Sequence, residues 1–93
     1  MNVVLGQVVF SKAGRDAGKI FVVTGLIDDS YVLISDGNSR RLENPKKKKL
    51  RHLIITNSVI EAISQKISSG EKCTNAEIRK AIVEYNVPVD SKV

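Results

Sequence analysis

Hydrophobic and polar positions along the chain follow two periods, and the change falls near residue 57. Before it, apolar residues come in short runs separated by turn residues. Val8-Val9-Phe10 is one run, followed by a polar, glycine-punctuated stretch from Ser11 to Gly18. Lys19 to Ile27 is rich in β-branched and aromatic residues and predicts the longest strand. Asp28-Asp29-Ser30 is turn chemistry, because short Asp and Ser side chains bond to nearby backbone. Tyr31 to Ser35 predicts the next strand. Asp36-Gly37 then predicts a tight hairpin turn, since Gly accepts a positive φ at little cost. Ser39 to Leu42 and Leu50 to Thr56 complete about five strands, with Pro45 and a lysine run between them. Short strands at this spacing predict a small, highly curved barrel closed by its own ends.

From Ser58 onward the period becomes helical. Ser58-Val59-Ile60-Glu61 and Thr74-Asn75-Ala76-Glu77 each fit a capping box, in which hydroxyl and carboxylate satisfy free helix N–H groups reciprocally. Val59, Ile60, Ile63 and Ile67 follow the first, and Ile78, Ala81, Ile82 and Tyr85 the second, each set along one face. Gly70 suits the end of the first helix, and Pro88 bars continuation of the second. Two helices this short must pack on each other or on the barrel. The expected organisation is a β-barrel over residues 1–56 and a two-helix extension over residues 57–93. There is no internal repeat.

Composition narrows the class. A chain of 93 residues allows one small domain with an appendage. No apolar run approaches the roughly 18 residues of a membrane span, and Met1 to Gly6 lacks the basic and apolar regions of a signal peptide. Cys73 stands alone, which excludes an internal disulfide and suits a reducing cytoplasm. His52 is the only His, and it lies in a different segment from Cys73. No metal-ligand cluster, phosphate-cradling glycine motif or nucleophile–base set is present, so neither catalytic nor metal residues nor a cofactor are expected.

Charge is where the sequence becomes specific. The net charge is +5, but Arg40 to Arg51 alone carries +6, from Arg40, Arg41, Lys46, Lys47, Lys48, Lys49 and Arg51 against Glu43. The rest of the chain sums to −1. Adjacent lysines repel one another and resist desolvation, which predicts an exposed loop over Pro45 to Lys49. Charge runs of this kind also serve as solubilising loops, nuclear localisation signals or lipid contacts. Concentration of the charge between two strands favours an anion-binding surface, with lysines as point charges and arginines as bidentate phosphate donors. Aromatic stacking platforms are scarce. Phe10, Phe21 and Tyr85 read as core, and only Tyr31 is left open. Recognition through phosphates and the shape of a folded RNA fits this composition better than base-by-base reading.

The stretch Gly6-Gln7-Val8-Val9, Ala13-Gly14-Arg15-Asp16-Ala17-Gly18-Lys19 and Val22-Val23 resembles a KOW motif, and Ile27-Asp28, Leu33 and Asp36-Gly37 extend the likeness. It looks most like the archaeal and eukaryotic large-subunit ribosomal proteins of the fourteen-e, six-e and twenty-seven-e group. Through Pro45 to Lys49 and His52-Leu53 it also resembles small bacterial KOW-domain RNA-binding proteins. The likeness covers about residues 4–55. Phe21 stands where many KOW sequences have Gly, which favours the fourteen-e-like branch. The resemblance implies an SH3-like five-stranded barrel and binding to ribosomal RNA or to ribosomal or transcription-machinery proteins. It adds Lys12, Arg15 and Lys19 as secondary RNA contacts and gives Asp16 a structural role in its loop; His52, beside Arg51 and before an apolar run, reads as a barrel-edge residue, with a secondary RNA contact as the alternative. A KOW barrel acting as a protein-interaction adaptor is the alternative. A helix-turn-helix over residues 58–86 is disfavoured by the zero net charge of residues 57–93.

Overall fold

The computed structural model describes residues 3–85; Pro88, expected to end the second helix, lies outside them. Five strands form one antiparallel sheet: β1 (Gln7–Ser11), β2 (Ile20–Leu26), β3 (Tyr31–Ser35), β4 (Lys46–Lys49) and β5 (Leu53–Val59). Helices α1 (Glu61–Ser69) and α2 (Asn75–Tyr85) follow. The spatial order is β4-β3-β2-β1-β5. Among the described residues β4 and β5 form no ladder with each other, so the sheet is open where a closed barrel was expected. The two edge strands are joined by only one 3₁₀ turn, Leu50–His52, and succeed each other in the chain without pairing.

The pleat sorts side chains onto two apolar faces. On the inner face Val9, Phe21, Val23, Val32 and Ile34 pack with Val3, Leu50 and Leu53. The outer face is covered by the helices, where Val22, Ile63 and Ile78 are buried with Leu42, Ile60, Ile67, Cys73, Ala81 and Ile82 around them. Strands carrying apolar residues at consecutive positions, such as Phe21-Val22-Val23, are therefore buried on both sides.

Four local expectations are corrected. The run expected as a loop, Lys46 to Lys49, is the edge strand β4, paired with β3 from Tyr31↔Lys49 to Ile34↔Lys46. Lysine is a poor strand former in a sheet interior, but an edge keeps its ammonium in water and discourages further pairing. Ser39 to Leu42 forms no strand. Asp36 instead bends the chain there, its Oδ1 accepting from Asn38 N (2.9 Å) and Arg40 N (2.8 Å), and Gly37 N donates to Arg40 O (3.1 Å). The two-residue hairpin expected at Asp36-Gly37 is thus a longer turn, although Gly37 does take φ +76°. Ser58 caps no helix: it and Val59 belong to β5, and α1 starts after Ile60 with no side-chain cap. The second capping box forms in full, Glu77 N donating to Thr74 Oγ1 and Thr74 N to Glu77 Oε2, both at 3.2 Å. Gly70 ends α1 at φ +78°, where its N–H donates to Ile67 O and Lys66 O.

Candidate nucleic-acid interface

The loop between β1 and β2 is closed at its neck by Ser11 N donating to Lys19 O (3.0 Å) and Gly18 N to Ser11 O (2.7 Å). Four further bonds fix it to the basic segment. Arg40 Nε and Nη2 donate to Oδ2 of the buried Asp16 at 3.3 and 3.0 Å. Lys48 Nζ donates to Ala13 O at 3.1 Å. Lys12 N donates to His52 O at 3.0 Å. The exposed side chains of Lys12, Arg15 and Lys19 are therefore held beside the segment containing Arg40, Lys48, Arg51 and His52. Arg40, Lys48 and His52 thus bring part of the basic segment into contact with the loop that carries Lys12, Arg15 and Lys19.

Within β4 the four lysines divide by the pleat. Lys46 and Lys48 share the face of their partners Ile34 and Val32, and Lys48 lays its stem along the sheet to reach the loop. Lys47 and Lys49 share the other face with Leu33 and Tyr31. There the two ammoniums stand 4.7 Å and 5.6 Å from the centre of the half-buried Tyr31 ring. This cation–aromatic group was missed in the sequence. Its signal, the register of Tyr31 with Lys49, exists only once the lysines are recognised as a strand.

Not every candidate is equally free to bind. Arg40 is committed to Asp16, and its side chain is only 31% exposed. Arg41 Nε donates to Glu43 Oε2 at 3.1 Å. Asn75 Nδ2 donates to the other Glu43 oxygen (2.7 Å), and Leu42 N donates to Asn75 Oδ1 (2.7 Å), which ties this turn to the start of α2. The Asn75 bond, with help from its own backbone and Arg41, holds the Glu43 carboxyl down at about 2. Burial works against ionisation of Asp36, yet the Arg40, Asn38 and Ser39 donors keep its carboxyl below the usual range. Arg79 reaches from α2 to Gly37 O (2.6 Å).

Elsewhere the titratable groups point to packing. The Lys66–Glu77 pair links the helices, lowering the Glu77 carboxyl and raising the Lys66 ammonium. Burial, reinforced by Glu77, pushes the Cys73 thiol up to about 11, which disfavours the reactive thiolate. Among the described residues no group of three or more His, Cys, Asp or Glu is gathered to hold a metal ion, and no helix is long and apolar enough to cross a membrane. What the surface can do is hold anions: clustered ammoniums and guanidiniums suit a chain of phosphates.

A small antiparallel sheet edged with lysines places the chain among small basic β-proteins, and its relatives narrow that class. No family model matches. The chain is 31% identical to large ribosomal subunit protein eL14 of Pyrobaculum calidifontis over 81 residues, which are 87% of this chain and 77% of that one. It is 31% identical over 80 residues to eL14 of Desulfurococcus amylolyticus, covering 86% and 76%. It is 28% identical to the "Putative ribosome-binding protein YbzG" of Bacillus subtilis over 71 residues, 76% of this chain and 96% of that protein. The chain belongs to the eL14 family of ribosomal proteins.

Proposed function

We infer that this protein is a non-enzymatic, ribosome-associated RNA-binding protein of the cytoplasm that grips ribosomal RNA by its phosphate backbone. The observation that carries the reading is the joining of two basic elements. Arg40, Lys48 and His52 bond to the loop of Lys12, Arg15 and Lys19 and hold it against the lysine edge strand. Cations held by fold contacts meet a phosphate chain with less ordering cost than cations on a free loop. Kinship with eL14 and likeness to YbzG, both ribosomal by name, support the same partner. In this reading the sheet is a KOW-type, SH3-like module, its open seam bridged by the 3₁₀ turn, and residues 57–93 are an extension that braces its outer face. Arg40, Arg41, Lys46, Lys47, Lys48, Lys49 and Arg51 carry the grip, with Lys12, Arg15, Lys19 and His52 beside them.

Crosslinking in cells followed by sequencing of the bound RNA tests this. Enrichment in ribosomal RNA is expected, together with co-sedimentation with ribosomal particles that RNase abolishes. Partners recovered equally after RNase would instead make the molecule a protein-binding adaptor.

A further inference from the structure

We propose that Tyr31, with Lys47 and Lys49, forms a seat for one unpaired nucleotide of the bound RNA, an inference that rests on the RNA-binding reading above. Backbone-only recognition needs no aromatic group, yet the fold sets this one with care. Tyr31 N donates to Asp28 Oδ1 at 3.0 Å, and its carbonyl accepts from Ile27 N (3.2 Å) and Asp28 N (3.3 Å). Next to it, Ser30 O accepts from Leu50 N at 2.8 Å. The ring therefore stands on fixed backbone where β3 begins, half-buried, next to the sheet's basic edge strand. Phe21, by contrast, is fully buried and closed to any base.

The chemistry of the surroundings matches a nucleotide. Lys47 and Lys49 lie two residues apart on one face, about 7 Å along the strand, with their ammoniums over or beside the ring. An exposed cation–π contact is weak and a lysine stem is mobile. An arriving base can take the ring while the ammoniums turn to the phosphates on either side of it. Every base has a π-face, so the seat tolerates sequence but requires an unstacked base.

The test compares one RNA hairpin containing a single unpaired adenosine with the same hairpin fully paired. Wild-type protein is expected to prefer the first by about 5-fold or more, the range of base–aromatic stacking. Tyr31→Leu, its folding checked by circular dichroism, is expected to lose that preference while keeping the same salt dependence. The chain has no Trp and two Tyr. In a Tyr85→Phe background, tyrosine fluorescence therefore reports Tyr31 alone and is expected to be quenched by the hairpin with the unpaired base only. Equal affinity of wild type for both hairpins, or a preference that survives Tyr31→Leu, overturns the seat and leaves the phosphate grip standing. Failure to bind either hairpin overturns the RNA reading and the seat together.

Discussion

Asp16 lies almost wholly inside its loop, with two nitrogens of Arg40 on one oxygen and Lys19 at 3.9 Å from the other. Removing its charge leaves Arg40 facing a neutral amide whose one oxygen still accepts, and hydrogen bonds to charged groups contribute about 1.5–3 kcal/mol. Asp16→Asn is expected to lower stability by about 1–2 kcal/mol, because Arg40 is partly solvated and recovers some of the loss from water. Urea unfolding measures this, and an unchanged midpoint would mean the pair fixes nothing. Glu43 and Glu77 make a different prediction, in pH. Both carboxyls are depressed, so the stability they add is present in full above their ordinary value of 4.5 and is lost as pH falls through the folded value, about 2 for Glu43. Thermal midpoints are expected to fall between pH 4.5 and 2, and Glu43→Gln to flatten part of that fall. An acid limb identical in the variant would remove Glu43 from the account of how α2 is held.

Among the elements, the two helices show where chain and fold agree. Thr74→Ala removes a hydroxyl that accepts from Glu77 N and is expected to cost about 1 kcal/mol. Ser58→Ala, at a position expected to cap a helix but lying in β5, is expected to change stability by less than about 0.5 kcal/mol. Equal costs in chemical denaturation would contradict the observed helix start. The sequence misleads at Ser58 because its capping pattern is local, while Ile60 N is held by Gly6 O at 2.9 Å, a contact across more than fifty residues. Gly37 carries the matching lesson for α2. A Cβ there would meet Asn75 O at 2.4 Å, whereas a Cβ at Gly18 would meet nothing within 4 Å, though both glycines have positive φ. Gly37→Ala is expected to destabilise by at least about 1 kcal/mol more than Gly18→Ala, the excess being overpacking against backbone. Equal losses would mean that α2 does not rest on Gly37. Four of the five strands and both helices were legible because their apolar periods are local. Strand β4 was not, since four lysines carry no strand signal, and only pairing with Tyr31 to Ile34 gives them one.

For the whole molecule, the basic segment was legible as charge along the chain, but its shape was not. Sequence counting separates Arg40 to Arg51 from Lys12, Arg15 and Lys19; the bonds of Arg40, Lys48 and His52 to one loop bring them together. Arg40 and Arg41, counted as free cations, prove to be partly engaged by Asp16 and Glu43. Tyr31 gains its place only from the register. The phosphate grip is the claim on which the others depend, and the salt dependence of RNA affinity addresses it most directly. Neutralising about four to six phosphates gives a slope of log affinity against log salt of roughly −3 to −5. Glutamine at Lys46, Lys47 and Lys49 leaves the Lys48 tether intact and is expected to make that slope shallower by about 2. Affinity that is indifferent to salt, or a slope unchanged in the triple variant, would contradict the assignment of this edge strand as the RNA grip.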